Sequence, residues 1–431
     1  MLGLPNKYLI GIETEYFVLD NEGRISNRAD SIIQELAQHG TVKKECAKNM
    51  IEVISRPAET MTGVALDIIG KVKSLLEAAE RSGLRIFPYG TYPGSFSPEM
   101  RKEGGYGIKE KIFAKSWPIA GRCVGFHCHY TLTKGLFDRF FKNIKLLTKL
   151  EGNRALVDSY NMLVAIDPAF GTFMQSSPFY QGRLHGKDAR MMFYRGNLGV
   201  KGLYTGFQEF GVLPPYKYIV TDIMYEADER FGRWRSLMKK SDISVSPRRL
   251  YNSPYDINWS PVKVNPIGTF ELRGMDMNRL ELLISAGVLM RYVLKSINTD
   301  GMKVVIDGQA ISEPFKAESE KIHIPPFSHI LAVQKGSAHA GMDKKIVRKY
   351  CKGFLNFASP LLPSGRRRFL RPFRRMVTKR FTVSDEIIAS AKRMGLGNRI
   401  SGAEAAELSL KLAEKMPADI RRTEKVVSRL L

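Results

Sequence analysis

The sequence is poor in cysteine and has no apolar run long enough to cross a membrane. Its 431 residues include four cysteines, none in a CxxC pair, at Cys46, Cys123, Cys128 and Cys351. This spacing argues against a zinc ribbon or a disulfide framework, and a reducing cytoplasm is the expected compartment. No apolar stretch approaches the roughly 20 residues that a membrane helix needs. The acidic Glu13, so soon after the N-terminus, argues against a signal peptide.

The sequence also lacks the common nucleotide-binding motifs. It contains neither a Walker A sequence nor GxGxxG, so P-loop and Rossmann nucleotide binding are not supported. Any bound nucleotide must therefore be held by cations and side chains. A hydrophobic content of 44% with 10% aromatics is typical of a globular enzyme rather than a disordered chain, and the length predicts two or three domains.

Positive charge is concentrated near the C-terminus. The formal net charge is +24, and residues 341–431 hold 22 Lys and Arg against 8 Asp and Glu. We therefore predict a boundary near 335, with a basic, mainly helical region at 336–431. The favoured interpretation is a solvated helical appendage on the main domain. Binding of RNA, a membrane surface or an acidic partner stays open.

Polar residues occur two positions apart in three otherwise apolar, strand-like runs. Successive side chains of a strand point to opposite faces, so both members of such a doublet project from one face. Burying them costs several kcal/mol each unless something pairs with them, and cations and phosphates would do so. The doublets are Glu13 with Glu15, His127 with His129, and Glu271 with Arg273.

Each doublet has a structural and a functional interpretation. Glu13 and Glu15 either meet solvent or repel each other enough to demand a divalent cation such as Mg²⁺. His127 and His129 are either core histidines or ligands for a metal or phosphate. They could also belong to a zinc hydrolase, which would require further ligands.

The third doublet joins a carboxylate and a permanent cation. Glu271 and Arg273 form either an ion pair within the sheet or a metal ligand beside an arginine that neutralises a transferring phosphoryl group. Arginine suits that task because its planar fork holds phosphate oxygens bidentately. Glu52, in the apolar run MIEVIS, is uninformative by itself.

Hydrophobic spacing and punctuation by Gly and Pro predict the main elements. We expect a short strand in LRIFPYGTYPG before a Gly- and Pro-rich loop. The stripe of Phe137, Phe140, Phe141, Ile144 and Leu147 predicts a helix that packs into the core. The other predicted strands lie at 7–19, 50–55 and 122–132 and in the segment that ends with Glu271 and Arg273, and the predicted helices lie at 28–38, 61–80, 136–170, 218–239 and 279–296.

Five segments in order resemble the glutamate–cysteine ligase and carboxylate–amine ligase family, within the glutamine synthetase superfamily. They are GIETEYFVLD, IEVISRP, GFHCHYTL, YNMLVAIDPAFGTFMQSSPFYQGR and GTFELRGMD, and they span about residues 8–300. The resemblance implies an α+β fold, with a curved antiparallel sheet around a nucleotide site and helices outside it. It also implies ATP-dependent activation of a glutamate-like carboxylate as an acyl phosphate, which an amine then displaces. Residues 341–431 match no motif of the family.

The resemblance also implies roles for individual residues. His129 would lie near the ATP phosphates, and Arg273 would stabilise the phosphoryl group in flight. Arg183 or Arg195 could grip the substrate carboxylate, or either could be a surface arginine. The partners would be small carboxylate and amine substrates, and a dimer would be unsurprising. The residues expected to hold two or three Mg²⁺ ions are Glu13, Glu15, Glu52, His127 and Glu271.

Overall fold

The computed structural model describes residues 8–37, 42–148, 150–244, 250–251 and 253–428. The ends of two predicted elements, at residues 7 and 38, lie outside these ranges. Within the described residues, no helix is long and apolar enough to span a membrane.

The centre of the fold is an open seven-stranded sheet. Its strands follow the spatial order β10-β11-β5-β1-β3-β2, with β4 paired to β1, and every pairing is antiparallel. The strands are β1 (Ile10–Leu19), β2 (Val42–Lys44), β3 (Met50–Ile54), β4 (Arg85–Phe87), β5 (Gly125–Thr131), β10 (Val262–Asn265) and β11 (Thr269–Asp276). The α+β prediction of an antiparallel sheet with outer helices and a basic helical C-terminus is confirmed.

Alternation along the strands gives the sheet one apolar and one polar face. Ile12, Cys128 and Leu272 lie opposite one another on β1, β5 and β11, and each is at most 1% exposed. Two helices, α2 (Met61–Arg81) and α8 (Leu280–Asn298), pack against the sheet. The residues between those of the apolar row, including the three polar doublets, project from the other face.

The remaining helices surround the sheet, and most end at turn or capping residues. Small two- and three-stranded sheets carry the other strands. The other helices are α1 (Ala29–Leu36), α3 (Gly105–Phe113), α4 (Leu150–Phe173), α5 (Ala189–Arg195), α6 (Gln208–Gly211), α7 (Val220–Lys240), α9 (Phe327–Ala340), α10 (Lys345–Leu361), α11 (Arg371–Lys379), α12 (Val383–Arg393), α13 (Gly402–Ala413) and α14 (Met416–Ser428). The other strands are β6 (Phe137–Asp138), β7 (Asn143–Ile144), β8 (Phe179–Tyr180), β9 (Arg183–Leu184), β12 (Lys303–Ile306), β13 (Lys316–Glu318) and β14 (Lys321–Ile324).

The helix predicted over 136–170 begins only at Leu150, and the start of that prediction is wrong. A hairpin of β6 and β7 precedes it. The Asp138 carboxylate accepts the backbone N–H groups of Phe140 and Phe141 at 2.9 and 3.0 Å, which closes a turn instead of a helix. The predicted core stripe fails at Phe140 and Phe141, which are 87% and 71% exposed, whereas Ile144 is buried and Phe137 and Leu147 pack against the core.

The C-terminal helices share the apolar core of the main domain. Phe373 of α11 stacks on Phe173 of α4, with ring centroids 4.6 Å apart. The hydroxyl of Tyr350 donates to the carbonyl of Ala165 at 2.5 Å. The boundary predicted at 335 falls inside α9. The division of the chain there stays a prediction, but the two parts are in direct contact.

Candidate active site

Strand pairing brings the three doublets side by side on the polar face. Glu271 of β11 lies opposite His129 of β5, and His127 lies opposite Glu13 of β1. On the other side of β1, Glu15 lies opposite Glu52 of β3. One surface therefore joins all the residues that the sequence singled out as metal ligands, together with His129 and Arg273.

Both histidines lie close to carboxylates, and His127 is hydrogen-bonded to Glu13. His127 Nδ1 lies 3.1 Å from Glu13 Oε2, and its Nε2 lies 3.4 Å from Glu15 Oε1. His129 Nε2 lies 3.2 Å from Glu13 Oε1, while its Nδ1 lies 3.0 Å from the hydroxyl of Thr269. Burial alone would raise the pKa of Glu13, but the bonds to both histidines hold it well below the usual range. Glu13 is therefore an ionised carboxylate shared by two imidazoles.

Glu271 is surrounded by cations. Arg273 Nε lies 2.9 Å from Oε1, Lys263 Nζ lies 3.6 Å from Oε2, and Asn265 donates its amide to Oε2 at 2.6 Å. Burial favours the neutral acid, but the charges of Lys263 and Arg273 outweigh it and lower the pKa of Glu271. This half of the face is thus a compensated, ionised network.

The opposite half holds crowded carboxylates that form no ion pair with a lysine or arginine among the described residues, although Lys43 lies opposite Glu52 in register. Oxygen atoms of Glu15, Glu45 and Glu52 lie within 4.8 Å of one another. Burial, followed by the charge of Glu15, raises the pKa of Glu45 to about 7. Burial, followed by the charge of Glu45, raises the pKa of Glu52 well above its ordinary value. Bringing these groups together requires protons or a divalent cation.

The donor chemistry of the polar face fits Mg²⁺. Besides the three-carboxylate cluster, oxygen and nitrogen donors converge in two further groups, each with two carboxylates and one imidazole. Oxygen-rich sets of this kind suit Mg²⁺, whereas catalytic zinc usually has more imidazole or thiolate ligands. The two groups are Glu13 with Glu52 and His127, and Glu13 with His129 and Glu271.

A cavity of about 130 Å³ opens beside the carboxylates. Glu15 and His127 line one side of it, and Arg190 and Arg273 line another. The buried Nε of Arg190 has no hydrogen-bond partner in the described part of the chain. A buried guanidinium N–H without an acceptor marks a place for an anionic group. A larger cavity, of about 710 Å³, is mainly apolar and shares no lining residue with this one.

The two arginines expected to hold a substrate carboxylate are not in equivalent places. Arg195 is buried, and its Nη2 lies 3.2 Å from Asp167, which also accepts from Gln334. It reaches a void of about 10 Å³ next to Arg273. Arg183 is exposed on β9 and lines neither that void nor the cavity of about 130 Å³. The structure therefore does not bring Arg183 to the site.

Sequence reasoning missed four charged residues of the site. Lys263 could have been found, because it alternates with Val262 and Val264 on a strand and pairs in register with Glu271. Arg190 and Lys109 lie on helices that reach over the sheet, and their positions depend on tertiary packing. Glu45 lies in a connection between strands, in a run with no alternating pattern.

Comparison with known proteins gives one consistent family. The family model described as "Glutamate-cysteine ligase family 2 (GCS2)" matches residues 9–300. A Chloroflexus aggregans protein named "Putative glutamate--cysteine ligase 2" is 26% identical over 307 residues, covering 68% of this chain and 65% of the relative. A Mycolicibacterium vanbaalenii protein named "Putative glutamate--cysteine ligase 2-1" is also 26% identical, over 205 residues, covering 47% of this chain and 49% of the relative. The matches thus span about half to two thirds of these relatives.

Solved structures agree on the fold. A bifunctional glutathione synthetase from Pasteurella multocida superposes with a TM-score of 0.62 at 11% identity, covering 95% of this chain and 53% of that one. A glutamate–cysteine ligase from Francisella tularensis, solved in complex with AMP, gives 0.59 at 11% identity, covering 98% and 93%. At this identity the likeness concerns the fold, and it extends over the C-terminal helices.

Proposed function

The chain belongs to glutamate–cysteine ligase family 2, and from this premise we propose that it is an ATP-dependent carboxylate–amine ligase that forms an acyl phosphate and releases ADP and phosphate. The observation that carries the proposal is the division of the polar face. Crowded carboxylates suited to Mg²⁺ lie beside Arg190 and Arg273, which are suited to phosphate or carboxylate oxygens. The named relatives and the AMP-bound neighbour support ATP and glutamate as substrates.

Divalent cations bound to this face would neutralise phosphate charge and orient ATP. In the proposed arrangement, Glu13, Glu15, Glu52, His127 and Glu271 hold these ions, and Glu45 is an added candidate because its oxygen atoms reach Glu15 and Glu52. His129 contacts Glu13, as His127 does, and in the proposed arrangement it faces the phosphates of ATP. The ionised state of Glu13 and Glu271 keeps both available as ligands at neutral pH.

The chemistry proposed for the site has two steps. A carboxylate oxygen of the donor attacks the γ-phosphorus of ATP, the new O–P bond forms, and ADP leaves. The amine nitrogen then attacks the acyl carbon, phosphate leaves with its bridging oxygen, and the nitrogen loses a proton. Arg273 stabilises the charge on the phosphoryl group during the first step, and Glu271, at 2.9 Å, fixes the direction of its guanidinium.

Arg190 is the proposed partner of the donor's free carboxylate. Its guanidinium lies over the ring of Tyr194, 5.4 Å from the centroid, and this contact orients it along the cavity wall. A Cβ on Gly125 would fall 2.2 Å from Arg190 Nη2, so a glycine at the start of β5 makes room for the arginine. Arg195 supports this wall through Asp167, and direct contact of Arg183 with substrate is not part of the proposal.

The test is a substrate panel. Purified protein with Mg²⁺ and ATP is given glutamate and other carboxylates, each combined with cysteine and other amines, and ADP and phosphate are measured. We expect turnover that requires both substrates and is lost in Glu271→Gln and Arg273→Gln, with exposed Arg371→Gln as the control. Full activity in both site variants would contradict the assignment. No ADP release with any pair would contradict the proposed function.

Neither alternative function gains support from the site. A zinc hydrolase built on His127 and His129 would need more ligands than these clusters offer, because each contains at most one imidazole. Stoichiometric zinc in the unsupplemented protein would favour it. An inactive nucleic-acid-binding protein would not require the ionised network around Glu271. A cytoplasmic location and a dimer stay predictions.

A further inference from the structure

A further cavity lies among the outer helices, away from the polar face of the sheet. Its volume is about 60 Å³, well below the roughly 300–1,000 Å³ of pockets for drug-sized ligands. None of its lining residues lines the catalytic cavity. Its walls come from the first turn of α2, from α8, and from the 3-10 helix Ser364–Leu370 of the basic C-terminal region. The polar lining residues are Thr60, Thr62, Arg291, Tyr292 and Arg366.

The cavity holds two cations and no acid. Arg291 and Arg366 both line it, no acidic residue does, and neither arginine takes part in an ion pair within the described ranges. Nη1 of Arg366 is buried and has no hydrogen-bond partner in that part of the chain. Buried polar groups are almost always paired, and an unpaired charged donor is costly. The unpaired donor therefore indicates a missing acceptor.

The start of α2 adds to the same preference. This helix of 21 residues begins at the cavity, and no acidic residue occurs in its first turn. The Thr60 side chain accepts the N–H of Gly63. The N-terminus of a long helix carries a partial positive charge that favours anions. The helix end thus faces the cavity with the same sign of charge as the two arginines.

The surrounding surface would attract anions to this position. Between Asp343 and Asp385 the chain has thirteen Lys and Arg residues and no Asp or Glu. Arg366 lies in the middle of this run, and Arg367 next to it is exposed. A surface of one sign raises the local concentration of opposite charges.

We propose that this cavity binds a tetrahedral oxyanion, either free inorganic phosphate or the phosphate group of a small molecule, between Arg366, Arg291 and the N-terminus of α2. The anion supplies the acceptor that Arg366 Nη1 lacks. It also links the C-terminal region to α2 and α8, which both contact the seven-stranded sheet. Its binding therefore stabilises the docking of that region, and the site is independent of catalysis.

The experiment measures phosphate binding without the reaction. Calorimetry and thermal unfolding are followed against inorganic phosphate, at constant ionic strength, in EDTA and without nucleotide. The variants are Arg366→Gln and Arg291→Gln, and the matched control is Arg367→Gln, which removes the same charge one residue away. We expect the control to bind like wild type and both cavity variants to bind at least about tenfold more weakly, since each loses a charge-assisted hydrogen bond.

Thermal unfolding separates binding from a structural role. Without phosphate, Arg366→Gln should unfold no earlier than wild type, because it removes a half-buried cation whose buried Nη1 has no partner in the described ranges; with phosphate, wild type should gain stability and the variant should not. Equal weakening in Arg366→Gln and Arg367→Gln would indicate diffuse attraction and overturn the proposal. Unchanged binding in both cavity variants would also overturn it. If Arg366→Gln does not fold, the phosphate binding of Arg291→Gln is compared with that of wild type and Arg367→Gln instead, and the same outcomes support or overturn the proposal. A glycerol phosphate titration then separates free phosphate from a phosphate group.

Discussion

Replacing Glu52 by glutamine should stabilise the protein in the absence of divalent cations. The reason is the crowding of Glu52 with Glu45, Glu13 and Glu15, which, together with burial, raises its pKa well above 4.5. The folded protein then holds a proton on this carboxyl at pH values where the unfolded chain has already released it. Glutamine has nearly the same shape and needs no proton.

The size of the effect follows from the linkage between protonation and folding. Each pKa unit corresponds to 1.36 kcal/mol, so a carboxyl that stays neutral at pH 7 costs at most about 3 kcal/mol relative to its value of 4.5 in the unfolded state. Since glutamine also changes local hydrogen bonds, we expect a gain of about 2 kcal/mol. A raised pKa gives stability that is present below pH 4.5 and lost as pH rises. The advantage of the variant should therefore vanish near pH 4.5 and grow towards neutral pH.

Urea unfolding in two buffers, one with EDTA and one with saturating Mg²⁺ and no EDTA, tests this reasoning. A cation at 100 times its dissociation constant would add about 2.7 kcal/mol to wild type, and less to Glu52→Gln because one ligand is missing. The stability difference between Glu52→Gln and wild type should therefore become smaller or change sign when Mg²⁺ is present. Glu77→Gln, exposed on α2, is the control and should change little. Equal destabilisation of Glu52→Gln in both buffers, at every pH, would refute the interpretation of Glu52 as an uncompensated cation ligand.

Three further outcomes are expected. Burial, followed by the charge of Asp276, raises the pKa of Asp188 well above its usual range, so wild-type stability from this group falls as pH rises; the stability of Asp188→Asn relative to wild type, measured by urea unfolding, should therefore rise from pH 5 to pH 9, and a constant difference would contradict it. Phe373→Ala removes a fully buried ring stacked on Phe173 and should cost about 3–5 kcal/mol; an unchanged main thermal transition would show that the C-terminal helices unfold separately. Phe141→Ser should change the free energy of unfolding by no more than about 0.5 kcal/mol, because the ring is exposed. A large loss of stability would favour the predicted core stripe.

The polar face could be predicted from sequence because it depends on local alternation. Glu13 and Glu15 must share a face once β1 is a strand, and the same holds for His127 and His129 on β5. Which strands are neighbours does not follow from alternation. The order β11-β5-β1-β3, which places Glu271 opposite His129, was not predicted, and the resemblance to a known family implied only an antiparallel sheet that carries these residues.

The failures have two physical causes, a local turn and long-range packing. Phe140 and Phe141 have helical spacing with their neighbours, but the Asp138 side chain closes a turn that spacing alone does not reveal. Arg190 reaches the site from α5, about 80 residues before β11 in the chain, and nothing in its local sequence distinguishes it from Arg183. Long-range packing decides both arginine positions, and one sequence carries little information about it.

The distribution of charge over the polar face suggests why it tolerates so many buried ionisable groups. Around Glu271 the charges are balanced by Arg273 and Lys263, so this half is formed before any ligand binds and can orient Arg273. Around Glu52, burial and the neighbouring carboxylates outweigh the charge of Lys43 and raise the pKa of Glu52, and in the proposed function a divalent cation would relieve this repulsion. A fully balanced face would bind Mg²⁺ weakly, whereas a fully unbalanced one would destabilise the sheet. In the proposed ligase, this division would let the same seven strands fold without metal and still bind it, at a stability cost confined to the half where Glu52 lies.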